Sequence, residues 1–170
     1  MNFAETAKSL LANHGVVRSQ PLSDWSGPFP LPKQLQQFYL EVGPVDVIIE
    51  AHGNPYFFPY LSKLWSFQAG YRLNGISGER ISEWPSKWIV IADEGGDPFI
   101  FDGASGRVLF AIHGTGNWDA RPLFTDVNIA AACLAAIGAI VVTRAARIWS
   151  TIARSSRNFA NSHLIAFDNS

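Results

Sequence analysis

Four carboxylates fall within ten residues, Asp93, Glu94, Asp97 and Asp102, with no lysine or arginine among them. Paired carboxylates can move a proton in general acid/base catalysis or hold a hard cation. The spacing does not follow the calcium-loop pattern, which needs acids or amides at alternating positions and a closing Glu. Aspartate and glycine are also what tight turns require, because they tolerate the left-handed backbone region. A third use is contact: acids at the rim of a rigid sheet that meet a basic partner speed association and fix register. Of the four histidines, His14, His52, His113 and His163, no two are close enough in sequence to form a local metal-binding pair. His113 opens a glycine-rich turn, His-Gly-Thr-Gly-Asn-Trp. A hydrolase built on these groups needs a concave pocket joining His113 to Asp93 or Asp97.

Gly103-Ala104-Ser105-Gly106 lacks the spacing of a nucleophile elbow and falls between strands. Neither a dinucleotide fingerprint nor a phosphate loop occurs, and no cofactor or metal is expected. Cys133, among Ala131, Ala132, Leu134 and Ala135, reads as a buried small hydrophobe and not as a nucleophile. Arg144, Arg147, Arg154 and Arg157 recur at spacings of three and seven and form one stripe on a helix. The stripe is either a solvated face or the counterpart of an acidic surface. Trp149 beside it is of a type enriched at binding hot spots.

The chain that must position these groups has 170 residues, 48% of them hydrophobic and 16% charged. That is the length and composition of one core-rich domain. A net charge of -1 argues against bulk nucleic-acid binding, which needs a basic surface. The charge is unevenly spread: residues 39–106 carry nine acids and four bases, residues 107–170 three acids and six bases. One cysteine excludes an internal disulfide framework, and Glu5 and Lys8 interrupt any secretory apolar stretch. Both features predict a reducing, cytoplasmic setting.

Helical spacing of Phe3, Ala7, Leu10 and Leu11 predicts a first helix over 3–13. Leu31, Leu35, Phe38 and Val42 predict a second, with Pro32 in its first turn and Gly43 closing it. Val45–Ala51 reads as a strand, and Lys63–Ala69 as a short helix capped by Ser62. Trp88–Ala92, Pro98–Phe101 and Val108–Ile112 read as three strands joined by glycine-rich turns, an antiparallel meander. Asp126 caps a long helix from Val127 to about Trp149. Its apolar run of sixteen residues, Val127–Val142, is short of the ~20 that a bilayer needs, so a core helix is expected and no membrane span. Small residues at Ala131, Ala135 and Gly138 let that helix approach the sheet or a twin helix closely.

Three pieces in this order resemble the SUKH superfamily of cell-wall glucan-synthesis regulators and bacterial immunity proteins. They are the helix Leu31–Gly43 (LPxxLxxFYxxxG), the block Trp88–Asp102 (WIVIADEGGDPFIFD) with Gly106–Phe110 and His113-Gly114 after it, and a helix following Asp126. Phe58–Arg72 also resembles the family's short middle helix. The resemblance implies an α+β fold: a largely antiparallel central sheet with a β-meander, packed by N-terminal, middle and long C-terminal helices. Residues 1–154 would form this domain and residues 155–170 a polar tail. The resemblance further implies no catalysis and a protein partner, a cognate toxin for the immunity type or an endogenous partner for a regulatory adaptor. A homodimer is compatible with it. On this reading Glu79, Glu83, Trp84, Asp93, Glu94 and Asp97 form the partner-binding surface.

Overall fold

The computed structural model describes residues 2–114 and 118–164, the stretch 151–164 as backbone only. Thr115–Asn117 of the glycine-rich turn and the side chains of Arg154, Arg157 and His163 therefore lie outside the described residues. The elements are α1 (Phe3–Leu11), α2 (Lys33–Glu41), β1 (Val47–Ile49), β2 (Tyr56–Phe58), β3 (Trp88–Glu94), β4 (Asp97–Asp102), β5 (Val108–Phe110), β6 (Arg121–Phe124) and α3 (Val127–Leu164).

The six strands lie in the order β1-β2-β3-β4-β5-β6, each antiparallel to its neighbour. Period-two alternation gives the sheet two apolar faces. Along β4, Phe99 and Phe101 join one buried cluster while Ile100 joins another on the opposite side. β5 repeats this with Val108 against Leu109. On β3 the register shifts between Val90 and Ala92, so Ile91 and Ala92 both belong to the first cluster.

The three helices cover the first face. Asn2 caps α1 through Ala4 N–H, and Asp126 Oδ1 accepts from Asn128 and Ile129 N–H at 2.8 and 3.0 Å to start α3. Gly43 closes α2 with φ +61, where a Cβ would sit 1.8 Å from the Arg18 carbonyl oxygen. The second face is covered by the long β2–β3 connection, through Phe67, Tyr71, Ile81 and Trp84, and by Trp118 and Ala120.

The α+β class and the meander agree with the sequence reading; several details differ. In α1, Ala4 is buried and Phe3 is 44% exposed, one position off the expected face. The strand expected over Val45–Ala51 shrinks to β1, and β2 and β6 are strands that the sequence presented as loops. The helix expected over Lys63–Ala69 is replaced by two 3-10 turns, Leu61–Lys63 and Ser66–Gln68. The reason lies in Gln68, which is fully buried. Its amide donates to the Val90 carbonyl and its Oε1 accepts from Val90 N–H, both at 2.9 Å. β2 pairs with β3 only at Asp93 and Glu94, so Gln68 stands in for the missing ladder partner at Val90.

α3 divides into two parts. Val127, Ala130, Ala131, Leu134, Ala135 and Gly138 are buried on the domain. At Gly138 the helix meets β1 and α1: a Cβ there would lie 2.2 Å from Ile49 Cγ2 and 3.0 Å from His14 Cε1. The small residues thus serve approach to the sheet. From Val142 to Ser150 every residue is exposed, so the expected core helix is one only in its first half. Cys133, read as buried, is exposed because it faces away from the cluster. By length and composition Val127–Ser150 could cross a membrane, although its first half is occupied by the domain. The helix continues through Leu164, past the expected start of a polar tail at residue 155.

Candidate protein-binding site

The β3–β4 hairpin positions the acids. Its loop is only Gly95 and Gly96, with φ +60 and +102, the two-residue turn whose twist matches the strands. Glu94 and Asp97 are therefore strand residues facing each other across the turn. Alternation then separates the acids that sequence had grouped. Asp93 lies on the aromatic second face, where Tyr71 hydroxyl donates to its Oδ2 at 2.9 Å. Glu94 shares a row with Tyr56, which packs against the helix-side cluster. Asp102 lies at the far end of β4 and holds the next turn, accepting from Ala104 N–H and Ser105 hydroxyl.

Environment tunes each carboxyl differently. Burial raises Asp93 above the usual carboxylate value and outweighs the hydrogen bonds from Tyr71 and Gly96. Burial, then the neighbouring charge of Asp97, raises Glu94. Partial burial works to raise Asp97 as well, but His113 overrides it and the carboxyl is held low. His113 backbone N–H donates to Asp97 Oδ1 at 2.7 Å and its Nδ1 lies 2.6 Å from the same oxygen. Tyr71 is itself pushed up, first by burial and then by Asp93.

Of these groups, Tyr71, Asp93 and His113 line one hollow of about 560 Å³ at the open end of the second face, with Phe67 and Trp118. Tyr71, Trp84 and Trp118 are mutually in ring contact at 5.5–6.2 Å and form its floor. Trp84 corrects the sequence reading: it is 0% exposed, with its Nε1–H given to the Trp88 carbonyl at 3.1 Å. It supports the hollow from beneath and has no surface to offer a partner. Glu79 and Glu83 are exposed on the β2–β3 connection, but neither lines the hollow. Ser82 hydroxyl donates to Glu83 Oε1 at 2.6 Å and lowers its pKa. The connection is pinned by Arg72, which is buried. Its guanidinium donates to the carbonyls of Ser86 and Trp88 and stacks 4.5 Å from the Phe29 ring centre. Burial, with Arg80 nearby, lowers its pKa.

Sequence reasoning did not single out Tyr71 or Phe67, and met Trp118 only as the end of the turn that His113 opens. No spacing marks them, since residues 71, 93 and 118 meet only through the meander. The signal that did exist was the His113–Trp118 turn.

The hollow does join His113 to Asp93, and His113 is bonded in turn to Asp97 behind the lining, the geometry a hydrolase would need. A histidine oriented by a carboxylate is half of a general-base arrangement. Ser66 also lines the hollow, but its hydroxyl donates to the Lys63 carbonyl at 2.9 Å. Among the described residues no three His, Cys, Asp or Glu gather as a metal site.

An antiparallel sheet covered by helices on one face and by an aromatic cluster with a shallow hollow on the other defines a domain of the α+β class. The SMI1 / KNR4 family (SUKH-1) model matches residues 27–126, more than half of the chain, and the chain belongs to that family. The match covers α2 and all six strands and stops where α3 begins. No curated protein and no solved structure matches the chain. Family membership supports a non-catalytic module of the immunity or regulator type.

Proposed function

We propose that this chain is a cytoplasmic immunity-type protein that neutralises a cognate toxin by covering it with the hollow and its rim. The observation that carries the reading is the composition of that rim: the half-exposed rings of Phe67 and Trp118 beside the Asp93 carboxylate, held on a sheet packed on both faces. Aromatic anchors with an acidic surround suit a basic protein surface. A complex of ordinary size buries ~1,600 Å² in total, which reaches beyond the hollow to the exposed Glu79 and Glu83. The adaptor reading uses the same surface with an endogenous partner.

Exposing cells that express the chain to the product of the neighbouring gene tests the proposal. The parent should protect cells, and a Ser66→Arg, Ala69→Arg double variant, changed at two exposed positions that line the hollow, should lose protection while keeping its thermal unfolding. Reversing Glu79 and Glu83 to lysine should slow association, most strongly at low salt. Full protection by the double variant would remove the hollow from the interface. Hydrolysis of any ester or amide that is abolished by Asp97→Asn would favour the enzymatic reading instead.

A further inference from the structure

α3 carries a longer apolar stripe than its own domain uses. Val127, Ala131, Leu134, Gly138, Val141, Ala145, Ile148 and Ile152 follow one another at alternating steps of four and three. That is the spacing of a helix–helix seam. The first four positions are buried on the domain; Val141 is half-buried, and Ala145 and Ile148 are exposed. Trp149, beside the seam, is 70% exposed and Ile148 52%. From Gly138 to Leu164 the helix rises about 39 Å at 1.5 Å per residue. Through Ser150 the seam therefore runs off the domain with its apolar side exposed.

Charge says what covers it. From Val127 to Leu164 there is no acid, and the projecting part bears Arg144, Arg147, Arg154 and Arg157. The sheet end from which it emerges is acidic. Gly138 lies against Ile49 and the Glu50 carbonyl. Ile49, Tyr56, Glu94 and Asp97 form one row across that end. The charge asymmetry of the sequence is thus a spatial one: acids at the root of the projection, bases along it.

We propose that the projecting part of α3 pairs antiparallel with the same segment of a second copy, Val141, Ala145 and Ile148 of each forming the seam. A single two-fold axis then lays the arginine-bearing end of each helix over the Glu50–Glu94 end of the other. Parallel pairing would set Arg154 and Arg157 of one copy beside those of the other and leave the acids uncovered, whereas antiparallel pairing brings together only the arginines nearest the axis, Arg144 and Arg147. An anionic lipid surface would attract the arginines but repel the acids at the helix root. The Tyr71–Asp93–His113 hollow is on the opposite sheet face and stays open in the pair.

Sedimentation velocity on the full chain, from about 1 to 100 µM, tests this against mass action. A concentration-dependent monomer–dimer equilibrium is expected. Ala145→Glu with Ile148→Glu should leave a monomer at every concentration, with near-ultraviolet circular dichroism of the buried tryptophans unchanged. Glu50→Arg should weaken the dimer tenfold or more at low salt, and the difference should shrink in roughly 0.5 M NaCl. A parent that is monomeric throughout overturns the proposal. So does a dimer indifferent to the double variant, or a monomer that instead co-sediments with phosphatidylglycerol vesicles through the same two positions.

Discussion

Single side chains here do the work usually given to backbone. Gln68 closes the open edge of β3 at Val90, and both of its amide groups are committed. Gln68→Leu keeps the volume but orphans a buried donor and a buried acceptor, so it should cost about 2–4 kcal/mol. Urea unfolding would show this as a lower midpoint at unchanged slope. The two aspartates beside the hollow should respond to pH with opposite signs. Asp97 is held low by His113, so its contribution is complete above the unfolded value of about 3.9 and is lost as pH falls through the lower folded value. Asp93 is raised by burial, so its contribution is present below about 3.9 and is lost as pH rises through the higher folded value. Asp97→Asn should therefore flatten the acid-side loss of stability. Asp93→Asn, whose Oδ1 can still accept from Tyr71, should stabilise the protein at neutral pH. Thermal melts from pH 3 to pH 7 would show both. The sequence displayed these acids as one cluster; alternation along β3 sends Asp93 and Glu94 to different faces, and the bulge between Val90 and Ala92, which the sequence does not show, decides which face each takes.

Helix and strand boundaries followed the signals that have a local cause. Asp126 and Gly43 were legible because a cap and a left-handed closure each need a particular residue type. β2 and β6 were not, because three or four residues hold too little alternation and each is flanked or broken by proline. The expected helix over Lys63–Ala69 gave way because Gln68 had a tertiary task that a regular helix would not meet. Gly138 is a case where two element-level effects compete. Ala in place of Gly favours a helix by ~1 kcal/mol, but the new Cβ meets Ile49 Cγ2 at 2.2 Å and the Glu50 carbonyl oxygen at 3.0 Å. Overpacking of that kind costs about 1–3 kcal/mol, so Gly138→Ala should be destabilising in net, read as a lower melting temperature.

At the level of the molecule, the class of fold followed from composition and from the central hairpins, which sequence presented plainly. The hollow did not, since its walls come from the β2–β3 connection, the hairpin and the segment after β5. The division of charge along the chain was visible, but its meaning depended on where α3 leaves the sheet. Protection should be distributed as the two-faced packing dictates. Amides of Ile89, Phe99, Ile100 and Phe101, central and covered on both sides, should exchange with solvent most slowly. Those of β6, an edge strand with three exposed residues out of four, should exchange far faster. Hydrogen-exchange mass spectrometry would resolve the two groups.

Every strand has as its neighbour the strand just before or after it in the chain. Such a sheet can zip together in the order of synthesis, each new strand adding to one already formed, with little loop-closure entropy at every step but the long β2–β3 connection. The helical face is different, because α1 and α3 come from opposite ends of the chain and pack on each other. Until the ribosome has released residues beyond Gly138, α1 and the sheet must wait with one apolar side in water. A nascent chain stalled before that point should engage holdase chaperones, and one stalled well after it should not.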